Sequence, residues 1–263
     1  MTLAPPAADA APMTFAFGDT RIAVNTPDRA TLLAQVRKRL CAGEGFALAT
    51  LNLDHLVKLE RDAAFRAAYA AQDIVVADGN PVVWLARLAR RPVALVPGSD
   101  LVVPLARLAA EMDVPVALVG STPQTLARAR EGLRAQVPGL EVALERAPPT
   151  GFDPDSDSAR AVLEQIAASG ARLCLLALGA PKQEALAARG RRLAPGVGFA
   201  SIGAGLDFIA GTQRRAPDWV RRLALEWLWR LLSDPARLGL RYWRCALILP
   251  RHARAAWRLR RGG

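Results

Sequence analysis

Four places in the sequence bring polar side chains or glycines to the ends of short apolar runs, where they could do chemistry. The first reads Thr50-Leu51-Asn52-Leu53-Asp54. The period of two along a strand puts Thr50 and Asn52 on one face, offering a hydroxyl and an amide to a sugar or a base, though Asn and Asp at such a point also cap helices. The second is Val75-Val76-Ala77-Asp78-Gly79. A carboxylate that follows an apolar run at a crevice edge is placed to have a raised pKa and to act as a general base; the Asp-Gly pair equally suits a plain turn. The third, Leu178-Gly179-Ala180-Pro181-Lys182-Gln183-Glu184, turns from a long apolar run into a helix with proline at its start. Free N–H groups and the helix dipole can hold a phosphate there, with Lys182 and Gln183 beside it; an ordinary helix start is the plainer reading. The fourth is Ile202-Gly203-Ala204-Gly205-Leu206-Asp207-Phe208. Gly203 and Gly205 permit close backbone approach to a ligand, and Asp207 can accept from hydroxyl or ring N–H groups. Phe208 stands where a third glycine would complete G-x-G-x-x-G, so the dinucleotide fingerprint fails at its last element.

The elements that must position these groups alternate in type. Runs rich in Val, Ile and Leu predict strands over Phe46–Asn52, Asp73–Asp78, Val114–Gly120, Glu141–Glu145, Arg172–Gly179 and Gly198–Gly203. Helical spacing predicts crossover helices between them. One is expected over Asp54–Gln72, with Leu56, Leu59, Ala63, Ala67 and Ala70 on one face, and another over Thr122–Gln136 behind a Thr-Pro start. The expected class is α/β: a doubly wound, mostly parallel, Rossmann-like sheet, whose ligand crevice lies outside the carboxyl ends of the strands. Asp153-Pro154-Asp155-Ser156-Asp157 contains D-x-D twice, a spacing that holds a divalent metal in many sugar-nucleotide enzymes. It precedes a helix expected over Ala159–Ser169 and follows a Pro-Pro-Thr-Gly loop, so helix capping is the favoured reading and no metal is expected.

Length and composition place the chain among folded, enzyme-sized proteins: 263 residues, 52% hydrophobic and 22% charged. Cys41, Cys174 and Cys245 are far apart and fit neither a disulfide framework nor zinc-ligand spacing, which suits a reducing compartment. The formal net charge of +11 is unevenly spread. Residues 1–213 hold 22 Lys and Arg against 21 Asp and Glu, whereas residues 214–263 hold 13 arginines against three acids, together with five of the six tryptophans. Arginine beside tryptophan and leucine suits an anionic membrane surface, where each basic side chain contributes about 1 kcal/mol; a solvated basic tail is the plainer alternative. No run approaches the ~20 apolar residues needed to span a bilayer. Met1–Phe17 lacks the pattern of a secretory signal, so a cytoplasmic protein, peripheral at the inner face of the membrane, is expected. The expected organisation is a flexible N-terminus over 1–18, an α/β core over 19–211 and a basic helical membrane-association appendage over 212–263. Within that appendage Trp219, Val220, Leu223, Trp227 and Leu231 form an apolar stripe, and Arg222, Glu226 and Arg230 sit at ion-pair spacing. Arg244–Arg261 reads as a further basic segment, broken by Pro250, that adheres to membrane.

Taken in order, Thr50-x-Asn52, Asp78-Gly79, Gly98-Ser99-Asp100-Leu101, Pro181-Lys182-Gln183-Glu184, Gly205-x-Asp207-Phe208, Arg215-Ala216-Pro217 and Glu226-Trp227 resemble the WecG/TagA/CpsF family of bacterial glycosyltransferases from about residue 20 to 243. The resemblance implies inverting, metal-independent and cofactor-free transfer of a sugar from a UDP-sugar donor to a polyprenyl-diphosphate-linked sugar acceptor in cell-surface polysaccharide synthesis. The implied sugar is N-acetylmannosamine or its uronic acid. It further implies Asp78 as general base. Thr50, Asn52, Gly79, Gly120, Gln183, Gly203, Gly205 and Asp207 would line the donor and acceptor site, with Gln183 at the sugar or diphosphate and Asp207 at the base. Arg215, Arg230, Arg237 and Arg241 would meet the lipid diphosphate. One position departs from the family pattern: Leu95 stands about where an arginine usually precedes Gly-Ser-Asp, with Arg90 and Arg91 nearby to compensate. Two other classes fit less well. A nucleotide-dependent oxidoreductase lacks its glycine fingerprint, and a nucleic-acid-binding protein lacks any groove-reading motif beside its arginines, so no nucleic-acid partner is expected. The sequence leaves homo-oligomerisation open.

Overall fold

The computed structural model of the protein describes residues 11–213, 216–217, 219–220 and 226–261. A hairpin of β1 (Met13–Phe17) and β2 (Thr20–Val24) comes first, then α1 (Arg29–Ala42), β3 (Phe46–Leu51), α2 (Leu53–Arg61), α3 (Ala63–Ala70), β4 (Ile74–Ala77), α4 (Asn80–Leu88) and α5 (Gly98–Glu111). There follow β5 (Val116–Gly120), α6 (Pro123–Gln136), β6 (Val142–Arg146), α7 (Asp157–Ala168), β7 (Leu173–Ala177), α8 (Lys182–Leu193), β8 (Gly198–Ser201) and α9 (Gly205–Ile209). The C-terminal part holds α10 (Glu226–Ser233) and α11 (Pro235–Arg261). All six expected strands form one parallel sheet in the order β4-β3-β8-β7-β5-β6. The fold is the α/β, Rossmann-like class expected.

The strands are apolar along their whole length because helices cover both faces. In β3 every residue is buried. Phe46 and Leu48 pack with α1, α5 and α6 on one face, while Ala49 and Leu51 pack with α2, α3 and α4 on the other. α7 and α8 cover that second face further along, over β5, β7 and β8. The parity of β3 and β4 therefore puts Thr50 and Asp78 on the α5 side, with Phe46, Leu48, Ile74 and Val76.

Three expectations are corrected. Residues 13–17 are not flexible: Met13, Phe15 and Phe17 alternate into the core with Ile22 and Val24. The chain leaving this hairpin seals the outer edge of β4, where Val75 N–H donates to Asn25 Oδ1 (2.8 Å), Asn25 Nδ2 to the Asp73 carbonyl (2.9 Å) and Thr26 N–H to the Val75 carbonyl (3.2 Å). An edge that would otherwise invite another strand is closed. Second, Asp54–Gln72 is two helices. Asp62 ends α2 and caps α3, accepting from Phe65 N–H at 2.9 Å, and the change of axis rotates the buried face. Phe65, Ala68 and Tyr69 are buried, and Ala63, Ala67 and Ala70 face out. Third, α11 runs through Pro250 without ending. Its second half is docked on α2 and α4, burying Cys245, His252 and Ala256, so this stretch is packing surface before it is anything else. Tertiary burial outweighs the helix-breaking preference of one proline.

Candidate active site

The eight groups expected to line the site lie at or just past the ends of strands. Asp78 continues the β4 ladder by donating its N–H to the Leu51 carbonyl (2.8 Å), which sets its carboxylate beside Thr50, whose Oγ1 donates to Asp78 Oδ2 at 3.4 Å. Asn52 is the N-cap of α2, its Oδ1 accepting from His55 N–H at 3.0 Å, so the capping role is filled and one amide NH2 is left for other partners. Gly79 follows with φ 103°, a left-handed turn that swings the chain into α4 and lies against Asn52. Thr50, Asn52, Asp78 and Gly79 thus form one cluster at the ends of β3 and β4.

The middle of the crevice is the start of α5, marked in the sequence by Gly98-Ser99-Asp100. A Cβ on Gly98 would stand 3.2 Å from both Thr50 Oγ1 and Ile202 Cα, and one on Gly205 would stand 3.4 Å from Ser99 Cα. The first turn of α5 is therefore wedged between the β3 end and the β8–α9 turn. On the far side Gln183, buried, accepts from Gly203 N–H at 3.2 Å through Oε1, and Asp207 Oδ1 accepts from Ser121 Oγ (3.0 Å), just past β5. Asp78 and Asp207 do not meet. Counting about 4.8 Å per strand across the sheet, they stand at opposite ends of a crevice roughly 10–20 Å long, which suits an extended ligand with two distinct ends.

Two of these glycines are required by packing. A Cβ on Gly120, at φ 126°, would fall 2.3 Å from the Ala177 carbonyl oxygen of the neighbouring strand, and a Cβ on Gly205 would fall 2.5 Å from Val102 Cγ2. Gly203, in contrast, has open space where its side chain would be. The aspartates of the D-x-D segment shape a turn: Asp153 Oδ1 accepts from Asp155 N–H (3.0 Å), and Ser156 caps α7.

Helix starts supply the electrostatics. α4, α5, α8 and α9 begin at the crevice with no side-chain cap, whereas α1, α2, α3, α6 and α7 are each capped by an Asp, Asn, Thr or Ser side chain. Uncapped starts present their positive dipole ends to an anion, together with those first-turn N–H groups that no backbone carbonyl takes, as carbonyls take those of Val82, Asp100, Gln183 and Gly205.

Of the four arginines expected at a lipid diphosphate, Arg241 is placed. Its Nε lies 3.0 Å from Asp54 Oδ1, and Lys58 Nζ lies 2.9 Å from Asp54 Oδ2 and donates to the Ala180 carbonyl (3.1 Å). Burial raises the Asp54 carboxyl, but Arg241 and Lys58 together outweigh it and hold the pKa below its usual value. Asp54 and Lys58 were missed as site neighbours because nothing local announces a helix arriving from 187 residues later in the chain. Arg215, the side chains of Arg230 and Arg237, and Arg221, Arg222, Leu223 and Ala224 lie outside the described residues. Leu95 is exposed at the lip, one residue before Val96 donates to the Ala77 carbonyl. Of its neighbours, Arg91 reaches away, Nη1 donating to the Pro12 carbonyl at 3.0 Å.

An open parallel sheet places its ligand crevice outside the carboxyl ends of the strands, where these residues gather. The chain matches the family model described as Glycosyl transferase WecG/TagA/CpsF family over residues 18–262, nearly its whole length, and belongs to that family. It is a glycosyltransferase of cell-surface polysaccharide synthesis, a class that uses a nucleotide-sugar donor and a lipid-linked acceptor and acts at the membrane. Among the described residues no helix is long and apolar enough to cross a membrane.

Proposed function

We propose that the protein transfers N-acetylmannosamine or its uronic acid, with inversion, from a UDP-sugar to a sugar carried on polyprenyl diphosphate. The observation that carries this reading is a carboxylate at the crevice lip, with the Thr50 hydroxyl on Oδ2 at 3.4 Å, next to helix starts that lack side-chain caps. Asp78 takes the proton of the acceptor hydroxyl as that oxygen attacks the anomeric carbon. The bond from the anomeric carbon to the UDP oxygen breaks, and its electron pair leaves on the diphosphate. Thr50 fixes the carboxylate, Asn52 offers its amide to a sugar hydroxyl, and Gln183 and Gly203 stand at the donor. Asp207 accepts from the base. N–H groups at the starts of α5 and α8 offset the charge that builds on the leaving UDP, a task a divalent metal performs in other enzymes. A screen of nucleotide-sugar donors run in EDTA is therefore expected to show full turnover.

Arg241 and Lys58 form the nearer part of the lipid-diphosphate seat, with Arg215, Arg230 and Arg237 completing it; guanidinium forks suit phosphate oxygens. Membrane contact is assigned to α10 and α11. Leu240, Trp243 and Leu247 are exposed at i, i+3, i+7 on α11, on the side away from buried Cys245 and His252, and Trp227 is exposed on α10. The deciding assay is transfer from radiolabelled UDP-sugars to a lipid diphosphate acceptor. Asp78→Asn is expected to lower turnover by about 100-fold or more while leaving UDP affinity within a factor of two, the usual scale for loss of a general base. Equal turnover by wild type and variant removes Asp78 from that role.

A further inference from the structure

Behind the donor side of the crevice lies a carboxylate that the mechanism above does not use. Glu184, in the first turn of α8, is 0% exposed. Its Oε1 accepts from Gln183 Nε2 at 2.8 Å, and its Oε2 is buried with no hydrogen-bond partner among the described residues. Gln183 is itself only 2% exposed and spends its other end on Gly203 N–H. From behind, Gln72 Nε2 donates to the Glu184 carbonyl (3.1 Å) and to the Ala68 carbonyl (2.8 Å), tying this turn of α8 to the end of α3. Burial pushes the Glu184 carboxyl up to about 7, against the opposing pull of the Gln183 N–H, its own backbone N–H and Lys58. A buried carboxyl with one oxygen unmatched is costly to keep, and an apolar residue of the same volume would often serve stability better.

We infer that Glu184 is a positioning residue: by accepting from Nε2 it fixes which end of the Gln183 amide faces Gly203, and so locks the β8–α9 turn to the β7–α8 turn. The two ends of a primary amide are nearly the same shape, and only hydrogen bonding distinguishes them. With Glu184 in place, the oxygen faces the Gly203 N–H. Without an acceptor on the other side the amide is free to flip, which would set its NH2 against that N–H and release the turn. The Gly203 turn carries Asp207 on the α9 that follows, and its neighbour Gly205 abuts Ser99 of α5. The strut therefore sets the distance between what Asp207 holds and the acceptor hydroxyl that Asp78 deprotonates. Gln183 acts on the turn first and on any ligand second. This inference rests on the transfer reaction proposed above for its effect on rate, but not for the strut itself.

The test compares full-length Glu184→Gln, which keeps an acceptor oxygen and the volume, with Glu184→Met, which keeps only the volume. Amide hydrogen exchange at Gly203 needs no substrate. It is expected to be slow in wild type and Glu184→Gln and at least tenfold faster in Glu184→Met, with melting temperature unchanged or raised in the latter. Transfer kcat/KM is expected to fall at least tenfold in Glu184→Met and to stay within threefold of wild type in Glu184→Gln. Gly203 exchange in Glu184→Met as slow as in wild type overturns the strut. Accelerated exchange with undiminished transfer overturns the positioning role. Loss of both in Glu184→Gln and Glu184→Met alike also overturns it, since the charge and not the acceptor would then matter. A wild type that transfers no sugar refutes the proposed reaction, and the exchange measurement then decides the strut alone.

Discussion

His55 and Glu184 are two fully buried titratable groups whose surroundings push them in opposite senses. Burial is the largest influence on His55, aided by Lys58, and lowers its pKa to about 3; its Nδ1 is 2.9 Å from the Tyr69 hydroxyl, whose own pKa burial drives well upward. Tyr69 thus stays protonated, hydrogen-bonded to a neutral imidazole. The unfolded chain protonates His55 near 6.5 while the folded one does not, so its contribution to stability is complete above that pH and declines as pH falls toward 3. Glu184 behaves the other way. Raised from 4.5 to about 7, it contributes stability that is present below 4.5 and is lost as pH rises through 7. Between pH 4.5 and 6.5 the two slopes offset each other, so the melting temperature is expected to vary little there and to fall steeply below 4.5. Removing the raised carboxyl separates them. Glu184→Gln is expected to be more stable than wild type at pH 8, by on the order of 3 kcal/mol, and to lose that advantage by pH 5, as read by denaturant unfolding. A variant whose stability difference is the same at both values would show that Glu184 is not titrating in this range.

At the scale of elements, the sheet is built from strands that touch almost without side chains. Gly120 is such a place, and β7 beside it gives a packing reason for the glycine. Gly120→Ala would press a Cβ 2.3 Å from the Ala177 oxygen at a backbone angle that L-residues avoid, which combines overpacking with strain. A loss of about 2–4 kcal/mol in unfolding free energy is expected, with UDP affinity per folded molecule unchanged. If instead affinity falls while stability holds, Gly120 belongs to the pocket after all. α11 illustrates the opposite case, an element whose sequence advertises one role and whose packing adds another. Arg251 and His252 meet Glu60 of α2 at 3.1 and 3.4 Å, and His252 stands edge-on to Phe15 and Phe17 of the N-terminal hairpin. Burial lowers the His252 pKa despite Glu60, so the imidazole is a neutral packing group at physiological pH.

For the whole molecule the consequence is that core and C-terminal helices share one apolar layer. Ile248, Leu249, Ala253 and Leu259 pack on the cluster that holds β1, β2, α2 and α4. Deleting residues from 235 onward would uncover that layer, so the truncated protein is expected to melt lower and to be cut faster by protease, in addition to losing turnover of lipid acceptor. The outer face is separable from the inner one. Trp243→Glu with Leu247→Glu leaves the docked side intact, and is expected to reduce sedimentation with anionic liposomes at least fivefold at unchanged melting temperature. Wild-type sedimentation should weaken with salt, because exposed arginines interact with headgroups over a Debye length of about 8–10 Å. Equal sedimentation of wild type and the double variant places membrane contact elsewhere.

Periodicity and strand-end punctuation were enough to read six parallel strands and the edge where the candidate site residues gather, because a strand buried on both faces is unbroken apolar sequence and its end is marked by the first polar residue or glycine. The cluster of Thr50, Asn52, Asp78 and Gly79 was legible for that reason, as was the capping role of Asn52 beside it. Contacts made across long sequence separations were not legible. Asp54 beside Arg241, Gln183 turned to Gly203 by Glu184, Gly120 against Ala177, and a basic tail that buries its inner face over α2 and α4 all depend on which elements become neighbours. Neighbourhood is fixed by the order in which strands join the sheet, and local propensity carries no record of it.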